Sequence, residues 1–317
     1  MDEILEYRSV NFKYKNQKKM VLNDMNLGVG VGEFVTVLGD SGSGKTTLLK
    51  LANKLLLPTD GTICFKGKDI NSYDVFELRK NMGYVIQEVG LFPHMNVKEN
   101  ISILSKINNM SKYKIEERVN ELLSLAQLPN TNEFKRRHPW QLSGGQQQRV
   151  GLARALFGNP EILLMDEPFG ALDVVTREKL QRRLIEIQKM YNKTILFVTH
   201  SLQEAITLGD KVIILHEGII QQFDTPKNLV LNPRNEYVRT LFNAPTPVDK
   251  MKFFSVADFS ELIYQGKPNP IVAVQRSEPM VKVLNWILKG KKVISVYDKE
   301  NFIGNMYVED LRHIGEI

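Results

Sequence analysis

A glycine-rich segment that follows an apolar run and precedes a helix-forming run is the feature that most constrains the fold of this chain. The run Glu33–Leu38 is a short, mainly apolar stretch rich in β-branched residues, which is typical of a buried strand. The run Thr46–Ala52 contains strong helix formers with an apolar repeat, which predicts a helix. Between them lie Gly39, Asp40, Ser41, Gly42, Ser43, Gly44 and Lys45. The order glycine, four residues, then Gly-Lys-Thr predicts a phosphate-binding loop between a strand and a helix.

The residue types of this loop match the chemistry of a nucleotide bound with magnesium. Glycines allow successive backbone N–H groups to converge on a phosphate, which also faces the positive end of the following helix. Lys45 would neutralise β- and γ-phosphate oxygens, and the Thr46 hydroxyl would ligate Mg²⁺. The strand before the loop and the helix after it are the context that this chemistry requires.

A second polar pair stands where another apolar run ends. The run Ile162–Met165 is followed by Asp166 and Glu167. At the carboxyl edge of a parallel strand, Asp166 would lie beside the first loop and could hold magnesium through water. Glu167 could polarise the water that attacks the γ-phosphate. The two motifs together predict nucleotide hydrolysis.

The apolar runs and helical patterns of the chain as far as about residue 222 predict an α/β fold. Apolar runs at Ile162–Met165 and Thr194–Val198 are separated by a helical stripe of apolar residues, which favours a parallel sheet covered on both faces. Residues from about 95 to 160 are predicted to be mainly helical, with one helix beginning at Asn96 and supported by Glu99. Val212–Leu215 and the residues after it predict a hairpin that ends the sheet.

Composition excludes several classes of protein. Hydrophobic residues make up 43% and charged residues 25%, the balance of a soluble globular protein. The absence of a run of about 18 apolar residues and of a basic leader predicts that the chain neither spans a membrane nor is exported. The single cysteine, Cys64, excludes an intramolecular disulfide and a cysteine-built zinc site, which fits a reducing compartment.

The positive charge does not by itself indicate nucleic acid. The 42 basic and 36 acidic residues leave a net charge of +6, and the two signs are mostly interspersed. The densest basic group is Lys13, Lys15, Lys18 and Lys19. It fits a solvated hairpin turn, with a patch for nucleic acid or lipid headgroups as the alternative. No nucleic-acid partner is predicted, because the chain has no zinc-finger spacing and no aromatic-rich basic motif.

The segment between the two motifs resembles a family signature. Its sequence is Leu142, Ser143, Gly144, Gly145 and Gln146, and it is similar to the signature of the ATP-binding cassette (ABC) ATPases. The resemblance covers residues 1 to about 240. It implies a P-loop cassette with a parallel-sheet core, an antiparallel β part and a helical subdomain at about 88–160. It also implies that the signature of one cassette closes on the ATP of another, so that a homodimer or a pair with a sister subunit is expected.

The same resemblance implies roles for further residues. Tyr14 matches the aromatic that stacks on adenine, and Thr47 falls in the nucleotide-binding set next to the loop. Gln87 matches the glutamine that senses magnesium and the γ-phosphate. Asp173, in the loop Ala171–Asp173, matches the residue that contacts the second cassette, and His200 matches the switch histidine that acts with Glu167. Thr46, Gln87 and Asp166 are thereby the expected Mg²⁺ residues.

Two stretches indicate an importer. The apolar loop Glu88–Met95, directly after Gln87, is of the kind that receives a coupling helix from a membrane permease, although an internally packed loop is the alternative. The segment Glu167–Asp173 with Thr176 and Arg177 is similar to importers of quaternary amines such as glycine betaine and choline. The resemblance implies a permease, a substrate-binding protein and a position at the cytoplasmic face of the membrane. Amino-acid import and a soluble non-transport ATPase are the alternatives.

The tail changes in character. Pro245 and Pro247 indicate a linker over 241–254, after which residues 255–317 predict a small α+β unit of order βαββα, ending in a helix at Glu309–His313. This unit is similar to one cystathionine-β-synthase (CBS) repeat. Repeats that bind adenosyl ligands tend to have Ser or Thr where this chain has Tyr307, with an acid at Asp310. A dimerising or regulatory module and a sensor of an adenine nucleotide or cyclic di-AMP therefore both stay open.

Overall fold

The computed structural model describes residues 3–15, 18–87, 90–105, 110–170, 172–242, 251 and 254–309. The chain divides into two compact units, Met1–Thr225 and Pro226–Ile317. Within the described residues, none of the helices combines the length and the apolar character that a membrane span requires. The predicted linker 241–254 lies mostly outside the described residues, as do Pro245 and Pro247.

The first unit is built from two sheets and a set of helices. Its strands are β1 Glu3–Phe12, β2 Leu22–Gly30, β3 Phe34–Leu38, β4 Asp60–Phe65, β5 Lys68–Asp69, β6 Met82–Val85, β7 Ile162–Asp166, β8 Thr194–Thr199, β9 Lys211–His216 and β10 Ile219–Asp224. Its α-helices are α1 Lys45–Ala52, α2 Val75–Lys80, α3 Val97–Ile101, α4 Lys112–Leu125, α5 Asn132–Arg136, α6 Gly144–Leu156, α7 Val174–Tyr191 and α8 Leu202–Leu208. Short 3₁₀ helices lie at Ile70–Ser72, Ile103–Ser105 and Pro139–Gln141.

The larger sheet has the strand order β10-β9-β3-β8-β7-β6. β3 pairs in parallel with β8 and β9, β7 pairs in parallel with β8 and β6, and β10 closes the sheet as an antiparallel hairpin with β9. Every residue of β3, β7 and β8 is buried. This is the behaviour of parallel strands covered on both faces, and it confirms the α/β fold that the apolar runs predict.

The two faces of this sheet carry different layers. On one face, α1 and the antiparallel sheet of order β2-β1-β4-β5 form one apolar core with residues such as Val35, Leu164 and Leu196. On the other face, α3 to α7 form a second core with Phe34, Leu163 and Phe197. The structure therefore contains the antiparallel part that the family resemblance implies, and the region between β6 and β7 is mainly helical, as the sequence predicts. Cys64 is buried in β4, as a small apolar residue would be.

Local signals account for several element ends. Asn96 begins α3 with a reciprocal cap, in which its side chain accepts from the Glu99 N–H and the Glu99 carboxylate accepts from the Asn96 N–H. This confirms the helix start predicted from the sequence. Lys13 and Lys18 lie in the connection between the antiparallel partners β1 and β2, which is the predicted hairpin turn.

The second unit has a core of its own. It contains α9 Pro226–Leu231, α10 Glu236–Phe242, a 3₁₀ helix at Val256–Leu262, β11 Ala273–Gln275, α11 Val281–Leu288, β12 Val293–Asp298 and β13 Asn301–Tyr307. β11 and β12 pair in parallel, and β12 and β13 pair antiparallel. The strand, helix, strand, strand order is the predicted one, although the first strand begins at Ala273 and not at Ile271. The predicted final helix falls from Asp310 onward outside the described residues.

One buried amide fixes the loop that precedes α3. Asn100 is 0% exposed, and its side-chain amide donates to the carbonyls of Phe92, Met95 and Asn96 while its oxygen accepts from the Phe92 N–H. The sequence offers no signal for this role, because Asn100 occupies an ordinary helical position. This side chain therefore ties together Phe92, Met95 and Asn96 of the loop.

We expect Asn100→Ala to lower the free energy of unfolding by about 1–3 kcal/mol, because it leaves buried backbone groups of the loop without partners. Urea unfolding of the purified chain measures the change. The exposed Asn132 in α5 provides the matched control, and Asn132→Ala should alter stability by less than about 0.5 kcal/mol. Equal effects of the two substitutions would contradict the assignment.

Candidate functional site

The predicted phosphate loop lies between β3 and α1, and two of its glycines adopt backbone angles that other residues disfavour. Gly42 and Gly44 have φ angles of 79° and 106°, in the left-handed region that side chains disfavour. A Cβ on Gly44 would lie 2.5 Å from Leu22 Cδ2. The backbone carbonyl oxygen of Val21 would lie 2.9 Å from the same Cβ, so the loop can pass this close to the start of β2 only with glycine at this position.

Lys45 directs its ammonium group back into the loop. Its Nζ donates to the carbonyl oxygens of Gly39 at 2.7 Å and Asp40 at 2.8 Å. Burial lowers the pKa of Lys45, while the negative charges of Glu167 and Asp166 act in the opposite direction. Lys45 is only 7% exposed, so its ammonium group is confined to the phosphate loop, where a bound phosphate would contact it.

A cavity of about 350 Å³ opens over the loop. It is lined by Ser41, Gly42, Gly44, Lys45, Thr46 and Thr47 together with Tyr14, Val21, Gln87 and Glu167. In the same loop, the Ser43 hydroxyl is buried and has no hydrogen-bond partner within the described residues. Backbone N–H groups, a cation and an unsatisfied hydroxyl in one loop fit a polyphosphate.

Asp166 meets Thr46 at the edge of the sheet. The Thr46 hydroxyl donates to Asp166 Oδ1 at 3.1 Å, although the two residues are 120 positions apart. Burial chiefly raises the pKa of Asp166, while the hydrogen bond from Thr46 lowers it and the charge of Glu167 raises it. Hydroxyl, carboxylate and amide oxygens are ligands that Mg²⁺ accepts, so Thr46, Asp166 and Gln87 fit a magnesium ion that also contacts phosphate.

Glu167 is held in an uncommon backbone conformation. Its φ is 45°, in the left-handed region, where a residue with a side chain costs about 1–2 kcal/mol. Its Oε2 atom lies 3.3 Å from Gln87 Nε2 and 3.2 Å from His200 Nδ1. The structure thus brings Glu167, Gln87 and His200 together. Strained backbone of this kind recurs at functional sites, because the surrounding structure must hold it in place.

Tyr14 also lines the cavity. Its hydroxyl lies 3.4 Å from Thr47 Oγ1, and its ring packs edge-on against Phe12 with centroids 4.9 Å apart. The tyrosine remains 37% exposed. An exposed ring braced by a second ring offers a flat face to a flat ligand.

The signature segment lies elsewhere. Ser143 caps α6, with its Oγ accepting from the Gln146 N–H at 3.3 Å and its own N–H donating to Gln146 Oε1 at 3.0 Å. Gly144 and Gly145 form the first turn of the helix. Among the described residues that line the cavity over the phosphate loop, none comes from Leu142 to Gln146.

Asp173 also lies away from that cavity. It caps α7 by accepting from the Thr176 N–H at 2.9 Å, and that backbone hydrogen bond lowers the pKa of Asp173. Ala171, from the same predicted contact loop, lies outside the described residues. The structure therefore divides the predicted residues into a set around the phosphate loop and a second set at the starts of α6 and α7.

A further carboxylate lies near His200, and no sequence pattern indicates it. Glu204 in α8 accepts from the Thr199 hydroxyl at 2.6 Å and faces Gln181 and Arg177 of α7. Its spacing from Ser201 predicts only a helix start. No local pattern indicates that the carboxylate reaches across to another helix.

The left-handed backbone at Glu167 yields a stability prediction. Because glycine alone adopts this φ without strain, Glu167→Gly should be more stable than Glu167→Ala by about 1 kcal/mol. At the preceding Asp166, which lies in strand β7, glycine should instead be the less stable of the same two substitutions. Urea unfolding of the four variants measures both differences, and the same order at both positions would contradict the strain.

Comparison with known proteins agrees with this geometry. The family model described as ABC transporter matches residues 22–170. The carnitine transport ATP-binding protein of Listeria monocytogenes is 48% identical over 235 residues, which are 74% of this chain and 58% of that protein. The chain therefore spans little more than half the length of this relative.

Two further likenesses extend the comparison. The glycine betaine/carnitine/choline transport ATP-binding protein of Bacillus subtilis is 38% identical over 97% of this chain and 84% of its own length. A solved dimeric ATP-binding cassette in a post-hydrolysis state, bound to ADP and Pi, is 34% identical with a TM-score of 0.64 and covers 70% of this chain and 98% of its own. The chain belongs to the ABC transporter family, with the fold of its ATP-binding cassettes.

Proposed function

We propose that this chain is the ATP-hydrolysing subunit of an ABC importer for quaternary-ammonium osmoprotectants such as glycine betaine, choline, carnitine or proline betaine. The observation that carries the hydrolytic part is that Thr46 and Glu167 line one cavity beside the phosphate loop, with Asp166 hydrogen-bonded to Thr46. The cargo rests on the relatives, whose names include carnitine, glycine betaine and choline transport.

The phosphates of ATP would bind by exchange of hydrogen bonds. Lys45 would release the carbonyls of Gly39 and Asp40 and pair with β- and γ-phosphate oxygens, while loop N–H groups and the Ser43 hydroxyl take the remaining oxygens. Magnesium, when bound, would neutralise charge between these phosphates. Thr46, Gln87 and Asp166 would hold it. Tyr14 would stack on the adenine.

Glu167 would act as the general base. Its carboxylate would orient the attacking water and accept its proton, while Gln87 and His200 hold the same oxygen in place. Asp166 is less suited to this role, because its carboxylate is bonded to Thr46 and only 3% exposed.

A second copy would complete the site. Ser143, Gly144 and Gly145 offer a hydroxyl and helix-start N–H groups that the chain's own cavity does not use. In a head-to-tail dimer this segment would meet the γ-phosphate on the other copy, with Asp173 contacting it nearby. A homodimer fits a chain that carries each motif once.

A permease would dock beside the loop that follows Gln87. Gly90 and Phe92 border a groove of about 380 Å³ together with Gly83 and Arg154, and Asn100 fixes the loop. A membrane permease and a substrate-binding protein would then make up the importer, with this chain at the cytoplasmic face of the membrane. Glu88 and Val89, part of the predicted contact loop, lie outside the described residues.

The tail would serve as a dimerising or regulatory module. Its strand order supports the likeness to a CBS repeat, and Tyr307 stands in β13 at the position that adenosyl-binding repeats give to Ser or Thr. Binding of an adenine nucleotide or cyclic di-AMP is the alternative. Calorimetric titration of the full chain, with the nucleotide site saturated by ATP in a Glu167→Gln background, would detect such binding as an additional saturable event.

We expect Glu167→Gln to slow ATP hydrolysis by about 10²- to 10⁴-fold while leaving ATP binding intact, because the base is lost and the phosphate contacts are kept. With ATP, the variant should accumulate as a dimer in gel filtration. Turnover equal to that of the unaltered chain would move the base to another residue, and a monomer at saturating ATP would contradict the paired arrangement.

Transport is tested in cells at high osmolarity. Uptake of labelled glycine betaine and choline should require the unaltered chain and collapse with Glu167→Gln, in cells that lack other importers of these solutes. Asn132→Ala serves as the matched control and should leave uptake unchanged. Uptake that survives Glu167→Gln would refute the cargo assignment without touching the hydrolysis assignment.

A further inference from the structure

Glu204 is a nearly buried carboxylate that the proposed hydrolysis does not use. Its side chain is 12% exposed and lies in α8. Its Oε2 atom accepts from the Thr199 hydroxyl at 2.6 Å, and the same hydroxyl oxygen accepts from the Ser201 N–H at 3.0 Å. Because Thr199 and Ser201 flank His200, Glu204 fixes the turn that presents the histidine to Glu167.

The other oxygen of Glu204 faces the neighbouring helix α7. Oε1 accepts from Gln181 Nε2 at 3.2 Å and lies 3.9 Å from Arg177 Nε. The guanidinium of Arg177 in turn donates from its NH2 group to the Leu172 carbonyl at 3.1 Å. Leu172 directly precedes Asp173, the cap of α7.

These contacts form a continuous path with one incomplete link. It runs from the loop at Asp173 through Arg177 and Glu204 to the turn at His200. The Arg177 Nε atom is buried and has no hydrogen-bond partner within the described residues. Its 3.9 Å separation from Glu204 exceeds a hydrogen bond by about 1 Å. A small displacement of the loop toward α8 would therefore make a bond that is now open.

We infer that Arg177 and Glu204 are positioning residues that couple the contact of Asp173 with a second copy to the position of His200. This inference rests on the proposed function, namely on ATP hydrolysis by a pair of cassettes. Contact of the second copy with the loop at Asp173 shortens the distance between Arg177 Nε and Glu204. The Glu204 carboxylate, now hydrogen-bonded to Arg177, holds Thr199 and the adjacent histidine against Glu167. Each ATP site then responds to occupancy of the other.

The path satisfies a physical requirement for coupling. Energetic coupling between sites needs an element with two arrangements that both sites can bias. The Arg177–Glu204 contact is open at 3.9 Å, and a shortening of about 1 Å would give it a second, hydrogen-bonded arrangement. One end of the element carries the loop that would meet the second copy, and the other end carries the histidine bonded to Glu167.

The test compares variants of the full-length chain in which a charged side chain is replaced by a neutral amide. Glu204→Gln and Arg177→Gln should each lower kcat by roughly 10- to 100-fold, the cost of a misplacement of about 1 Å, while ATP affinity changes by less than about twofold. The Hill coefficient for ATP should fall toward one. The double variant should be no slower than the single variants, because both remove the same link. Arg177→Lys should recover part of the cooperativity.

A matched pair on the same helix provides the control. Arg182 and Glu178 form an exposed contact of 3.6 Å in α7, and Arg182→Gln should leave kcat and the Hill coefficient unchanged. If Glu204→Gln lowers the thermal midpoint, Arg177→Gln carries the test without the loss of a buried carboxylate, because the Arg177 side chain is 35% exposed.

The outcomes separate the inference from the function on which it rests. If the unaltered chain hydrolyses ATP cooperatively and the variants slow turnover but keep the Hill coefficient, the Arg177–Glu204 pair is merely structural. That outcome overturns the inference but leaves the proposed function intact. Additive losses in the double variant overturn it as well. An unaltered chain that fails to hydrolyse ATP contradicts the proposed function, and the inference falls with it.

Discussion

The parallel pairing of β3, β8 and β7 is the constraint on which the site depends. These strands are buried on both faces, so their register is fixed by the apolar layers above and below. Leu38 pairs with Thr199, and Asp166 pairs with Val198. The pairing aligns the carboxyl ends of the three strands at one edge. The phosphate loop, the acidic pair and His200 meet there although they come from distant parts of the chain.

The same constraint explains how much the sequence could predict. Apolar runs ending at Gly39, Asp166 and Thr199 identify strands and their polar ends, and parallel strands must present those ends together. The fold, the phosphate loop and the acidic pair follow from that local information, whereas Tyr14, Gln87 and His200 are expected only from the family resemblance. The left-handed φ of Glu167 does not, since it arises from the turn that leaves β7 toward the neighbouring strand end.

Long-range side-chain contacts lie beyond such reasoning. Arg177 and Glu204 belong to different helices, and each has the spacing of an ordinary exposed or capping residue in its own helix. Only the packing of α7 beside α8 brings them together with Gln181. Asn100 is similar, because its four hydrogen bonds depend on a loop that folds back over the start of α3. Polar groups that satisfy tertiary structure leave no periodic signal in the sequence.

In the second unit, a buried polar pair helps to fix the strand register. Its core, which includes Val256, Val274, Val283, Ile294 and Met306, is made of residues from that unit alone. Two buried polar side chains interrupt this core, and the Ser295 hydroxyl donates to Asn305 Oδ1 at 2.7 Å, across β12 and β13. Asn305 also donates to the Lys267 carbonyl, so a slip of register would leave these groups unpaired. The pair therefore specifies strand alignment in a unit whose few short strands would otherwise define it weakly.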